Sequence, residues 1–230
     1  MVAAESHSGR LDLFRCFRER FYADEFLSGK IRFGYLQHYR TNYESPRRDV
    51  DEGSGRIREW RGDRQAAVIT GTATEIVESP GEVSVDSELG NFVFICCLTA
   101  PPDDKWAPVI RDFGEFVVRI SDPQRFLLDI QAALSDDDQW QHHASVELFP
   151  VEYSKDELVP ARGPAQRQND AIRLAIAQKL SKYSYQFEHR IALISYALPI
   201  PDDAQAGRLP PEHLYVNIGR PLEYAALVKL

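Results

Sequence analysis

Residues 13–17 (LFRCF) alternate so that an extended chain sets Leu13, Arg15 and Phe17 on one face and Phe14, Cys16 and Arg18 on the other. The pattern predicts a first strand with arginine on both sides. In ERFYADEFLSG, Tyr22 and Phe26 lie four apart and Gly29 stands where a helix commonly ends, so a short helix leads to a second strand at KIRFG. Between Tyr35 and Asp63 the periodicity dissolves into charge and turn formers, which predicts a loop or excursion over 35–65. β-Branched and aromatic residues return in AAVITGTATEIV, EVSVDS and NFVFICCLTA, with Pro80-Gly81 marking a turn, and these read as an antiparallel meander. EFVVRI adds a strand. Asp122-Pro123 then opens a helix with Phe126, Ile130 and Leu134 on one face, ended by the acidic run 136–138. ASVELFPVEY alternates again, and residues 170–182 predict a helix burying Ile172, Ile176 and Leu180. The tail from His213 reads as one more strand and a short terminal element. Runs of strands with a few helices define an α+β class: a single domain with a bent, mainly antiparallel sheet and a few flanking helices.

Composition narrows the function classes. The 230 residues are 43% hydrophobic and 11% aromatic, enough for one sizeable core. Lys plus Arg number 27 against 35 Asp plus Glu, and the net charge of −8 disfavours non-specific nucleic-acid binding. The three cysteines, Cys16, Cys96 and Cys97, sit in apolar runs with no CxxC spacing, as expected of a reduced, cytoplasmic protein. The longest apolar run, FVFICCL, falls far short of the roughly 20 residues a membrane helix needs, and the opening residues lack an apolar signal core. No membrane partner is expected.

The stretch KYSYQFEHRIALI, 182–194, reads as a strand entering the core. Alternation there sets Gln186, Glu188 and Arg190 on one face and Phe187, His189 and Ile191 on the other. A solvated face, or pairing with charges on neighbouring strands, would explain the polar trio. If the strand lines a cleft, a carboxylate beside a guanidinium keeps its charge and can stabilise a developing cation or orient a substrate hydroxyl. A second constellation is HYRTNYESPRRDVDEG, 38–53. Most such runs are solvated loops. Yet Tyr35, Tyr39 and Tyr43 recur every four residues among Arg40, Arg47 and Arg48, and aromatic faces beside guanidinium forks suit a nucleotide's ring and phosphates.

The run KIRFGYLQHYR, with Glu44, Arg47-Arg48-Asp49 and Glu52-Gly53 after it and a late Phe187-Glu188-His189-Arg190 strand, resembles an uncharacterised bacterial domain family linked to phage defence and abortive infection. The opening strand, helix and strand are similar to the start of the ADP-ribosyltransferase fold. That likeness implies a nicotinamide dinucleotide, NAD, as substrate, its ADP-ribose being transferred to a macromolecular acceptor or hydrolysed. It assigns Arg15 to phosphate or ribose, Tyr35 or Tyr39 to the second-strand role, and Gln186-Phe187-Glu188 to the late motif. Glu188 then stabilises the oxocarbenium-like centre and Gln186 places the acceptor. The Ser-Thr-Ser run that would follow the second strand in that fold is absent from this sequence.

Other chemistries find less in the chain. His142 and His143 are adjacent and would face opposite ways in a strand, as would Cys96 and Cys97, so no metal ligands are assigned. A Mg²⁺ set of Asp49, Asp51, Glu52 and Glu188 would imply a nuclease. GxSxG, GxxxxGK[ST], GxGxxG and HExxH do not occur. Three rivals follow: an NAD-consuming effector with Glu188 and Gln186 catalytic and Arg15, Tyr35, Tyr39, Arg40, Arg47, Arg48 and Arg190 binding; a non-catalytic ligand-sensing or protein-interaction module; and a divalent-metal nuclease.

Overall fold

Strand β1, Leu13–Phe17, feeds helix α1, Arg20–Leu27, whose Ala23 and Phe26 are buried, and Gly29 at φ +94° turns the chain into β2, Lys30–Tyr35. This opening matches the elements read from periodicity. The computed structural model describes residues 11–36, 93–137, 140, 144–154, 176–195 and 213–230, and the backbone of 54–61, 66–70, 73–77 and 81–88. Within the second set, β3, Ser54–Arg61, pairs antiparallel with β6, Gly81–Glu88, and β4, Ala66–Thr70, pairs with β5, Ala73–Val77. The meander is corrected here, and the excursion over 35–65 contains a strand. Residues 54–61 form a strand because a segment well downstream supplies the ladder, and β6 pairs backwards with β3 instead of passing on to the next strand.

That next strand, β7 at Val93–Thr99, organises an eight-stranded sheet in the order β11-β2-β7-β1-β8-β12. Its other members are β8, Phe116–Ile120; β9, Ala144–Pro150; β10, Glu188–Ser195; β11, His213–Asn217; and β12, Ala225–Val228. Every ladder in it is antiparallel. With its helices, the sheet makes the α+β layout the sequence predicts. β10 pairs along the whole of one edge of β7, and β9 pairs with β10. The opposite edge is divided: β2 pairs only at Gly34↔Ile95 and Tyr35↔Phe94, and β1 only at Phe14↔Thr99. A wedge therefore opens between β1 and β2 beside the middle of β7.

One face of the sheet carries the main core, in which Leu13, Phe26, Phe33, Phe94, Leu98, Ile120, Ile130 and Leu193 are nearly inaccessible. Helix α3, Pro123–Ser135, packs onto it through Phe126, Ile130 and Leu134, the stripe its spacing predicts. Asp122 caps this helix by accepting from the Arg125 backbone N–H at 3.1 Å. Helix α2, Trp106–Phe113, follows a 3-10 turn, and Trp106 meets Phe14 edge to face with ring centroids 4.8 Å apart. On the other face a smaller apolar cluster of Leu36, Val93, Ile95, Ile176 and Ala192 covers only part of the sheet.

Two expectations near the C-terminal half change. Of the expected 170–182 helix, residues 170–175 lie outside the described residues. Ile176 is buried as expected, but the chain leaves helical geometry after Ala177, bridges Gln178 to Glu152, and is extended at Leu180. Ser181–Gln186 is a 3-10 turn, so strand β10 begins at Glu188 and Gln186 lies before it. Among the described residues no helix is long and apolar enough to cross a membrane.

Candidate functional site

The ladder registers decide which side chains share the second face. Directly paired antiparallel residues project to the same side. Phe14 pairs with Thr99 and Thr99 with Glu188; Cys97 pairs with Arg190; Gly34 pairs with Ile95 and His213, and Arg32 with Tyr215. Hence Phe14, Arg32, Cys97, Thr99, Glu188, Arg190, His213 and Tyr215 all look away from the main core. They line one pocket of about 410 Å³, within the usual range for small-molecule sites. Its cations are Arg15, Arg18, Lys30, Arg32, Lys179 and Arg190, against the carboxylates Glu19, Glu25 and Glu188. In a chain of net charge −8, this concentration of positive charge is local.

Glu188 is 6% exposed and Arg190 fully buried. Arg190 Nε donates to Glu188 Oε1 at 2.7 Å, Lys179 Nζ lies 2.6 Å from Oε2, and an Nη1 of Arg190 donates to the Ile176 carbonyl. Lys179 Nζ also donates to Gln186 Oε1 at 3.0 Å. Burial alone would raise the Glu188 carboxyl, but Arg190 and Lys179 outweigh it and hold the pKa at about 2. It is a carboxylate at neutral pH and has no proton to donate. The Glu188 backbone N–H donates to the Tyr153 hydroxyl at 2.8 Å. Burial, and then the Glu188 charge, push the Cys97 thiol well above its ordinary value, and burial pushes Cys16 up to about 12, so both are held in the thiol form at neutral pH.

Gln186 reaches the same place by another route. The 3-10 turn ends with Phe187 in the left-handed region at φ 46°, Thr99 Oγ1 donates to the Gln186 carbonyl at 2.6 Å, and the Ala100 N–H donates to the Phe187 carbonyl at 3.0 Å. Gln186 is 2% exposed, and its Nε2 meets no acceptor in full hydrogen-bond geometry among the described residues, although it lies close enough to the Tyr185 hydroxyl to favour that group's ionised form.

Arg15, Gln186, Glu188 and Arg190 all line this pocket, but Arg15 comes to it from the other side. Its neighbour Phe14 shares the Glu188 face, so Arg15 starts from the core face, over the rings of Phe17 and Phe26, and fills the wedge. There it donates to Cys96 Sγ and, through Nη2 at 3.0 Å, to the Arg32 carbonyl. Tyr35 is corrected to a core residue: it is 6% exposed and packs on Phe94 with centroids 5.7 Å apart, because its register places it on the main-core face. Tyr39, Arg40, Arg47 and Arg48 lie outside the described residues, as do Asp49, Asp51 and Glu52 of the metal alternative. Among the described residues no group of three potential ligands is gathered for a metal ion. Sequence reasoning missed Lys179, Arg32 and His213. A lone basic residue in a strand or after a helix carries no local signal; the ladder shows which face Arg32 and His213 join, and the fold-back at Gln178 brings Lys179 to Glu188.

Compared with family models, curated proteins and solved structures, the chain finds no match. The site is therefore read from its own chemistry.

Proposed function

We propose that this protein is a ligand-binding domain whose pocket takes a phosphate-bearing, nucleotide-type small molecule, and that Glu188 serves by fixing two cations at the pocket floor. The observation carrying this reading is that both Glu188 oxygens are engaged, one by Arg190 and one by Lys179, while the carboxyl is held ionised. A carboxylate so committed organises positive charge. The aromatic rings of Phe14, Tyr22 and Tyr215 among these cations suit a base or nicotinamide ring beside phosphate.

A second reading, cleavage of nicotinamide dinucleotide at its glycosidic bond, is supported by Arg15, Gln186 and Glu188 lining the same pocket. In that case Glu188 would stabilise positive charge developing on the ribose as nicotinamide leaves. Purified wild type and Glu188→Gln are incubated with nicotinamide dinucleotide, with and without cell lysate, while calorimetry follows binding and chromatography follows free nicotinamide. Binding without release is the expected result. Release by wild type but not by a folded Glu188→Gln protein would replace the binding reading with the transferase or hydrolase one.

A further inference from the structure

Of the cations lining the pocket, most are committed within the protein. Lys179 and Arg190 hold Glu188, and Lys30 is 2.6 Å from Glu25. Arg15 is spent on Cys96, the Arg32 carbonyl and two aromatic rings. Arg32 differs. Its register opposite Tyr215 aims it along the Glu188 face, it is half-buried, and its guanidinium makes one hydrogen bond among the described residues, from Nη2 to His213 Nε2. Because arginine only donates, His213 Nε2 must be the accepting, unprotonated nitrogen, and the contact fixes the fork's orientation without neutralising its charge. No carboxylate pairs with Arg32 among the described residues, and four of its five N–H donors have no acceptor there.

We infer that Arg32 is the anion anchor of the pocket, that the group it takes is a phosphate or pyrophosphate oxyanion, and that the uncharged end of the ligand offers a hydrogen-bond acceptor to Gln186. This rests on the ligand-binding reading above and narrows it to phosphorylated compounds with a carbonyl, carboxamide or ring-nitrogen acceptor. A guanidinium half-withdrawn from water and oriented by a neutral partner is suited to bidentate oxyanion recognition, where planar geometry and charge act together. At the other end, the buried Gln186 Nε2 meets no acceptor in full hydrogen-bond geometry among the described residues, only the nearby Tyr185 hydroxyl, and its side-chain carbonyl is already fixed by Lys179, so the nitrogen is the atom left for a ligand. The two points are chemically distinct, one charged and one neutral.

Calorimetric titration of the full chain with inorganic pyrophosphate, with a nucleoside and with the corresponding nucleoside diphosphate tests the assignment in wild type, Arg32→Gln, Arg32→Lys and Gln186→Leu. Far-UV circular dichroism checks that each variant is folded. Arg32→Gln is expected to weaken pyrophosphate and the diphosphate by roughly ten- to a hundred-fold while leaving the nucleoside unchanged. Arg32→Lys, which keeps charge and stem but loses the fork, should recover only part of that loss, and it answers the question if Arg32→Gln does not fold. Gln186→Leu should weaken the nucleoside and diphosphate and spare pyrophosphate. Wild-type affinity for pyrophosphate in both Arg32 variants would overturn the anchor while leaving the ligand-binding reading standing. No binding of any phosphorylated probe by wild type would overturn both.

Discussion

At Glu188, the folded-state pKa of about 2 against an ordinary 4.5 is a statement about stability as well as charge. A depressed carboxyl contributes stability that is fully present above pH 4.5 and is lost as the pH falls through about 2. The size is on the order of 3 kcal/mol. Glu188→Gln keeps the shape but leaves Lys179 and Arg190 buried beside a neutral amide, and is expected to destabilise the fold by about 3–5 kcal/mol. Denaturant unfolding between pH 7 and pH 2 should show wild-type stability declining in the acid range and a flatter profile for the variant. A cost under about 1 kcal/mol, with an unchanged profile, would show that the ion cluster does not hold the pocket floor together. Gln186, Glu188 and Arg190 were legible as polar positions interrupting an apolar run. Lys179 was not, because a lysine becomes a buried partner only once the chain folds back to bring it within 2.6 Å.

Elements with short-range signals came through as read. β1, α1, β2 and α3 depend on alternation, on helical spacing and on a cap such as Asp122, all local in the chain. The 3-10 turn at Ser181–Gln186 and the left-handed Phe187 were not legible, since Thr99 and Ala100, far away in sequence, hold the Gln186 and Phe187 carbonyls. Connections show the same division. Gly114, between α2 and β8, has φ +118°, and a Cβ there would meet the Phe17 carbonyl oxygen at 2.1 Å. Gly219 has φ +77° with open space around it. Gly114→Ala should therefore cost roughly 3 kcal/mol, from backbone strain and displacement of β1, and Gly219→Ala about 1 kcal/mol, from strain alone. Thermal unfolding of the two variants side by side checks the difference, and equal costs would mean that the approach to β1 is readily relieved.

Across the whole molecule, one carboxylate adds side-chain ties to the C-terminal segment that the β8–β12 ladder already holds. Asp129 on α3 accepts from Arg125 at 3.0 Å, from Arg220 at 2.9 Å and from the Tyr224 hydroxyl at 2.9 Å, tying the approach to β12 onto the helix. Burial would raise its pKa, but Tyr224, Arg125 and Arg220 outweigh that and lower it. Arg125 and Arg220 are half exposed, so solvent screening keeps the contribution modest. Asp129→Asn should cost about 1–2 kcal/mol and speed amide exchange in Ala225–Val228 more than in β7. Uniform acceleration would instead indicate global destabilisation. The sequence by itself determined the α+β class, the first strand-helix-strand unit, the amphipathic α3 and the polar positions at 186, 188 and 190, because periodicity and caps act between near neighbours. Only the tertiary structure decided that β7 is shared by β1, β2 and β10, that Arg15 enters the pocket through the wedge from the core face, and that Arg32 joins Glu188 on the other. Strand pairing joins distant segments, and a charge acquires its environment only when distant residues exclude water from it.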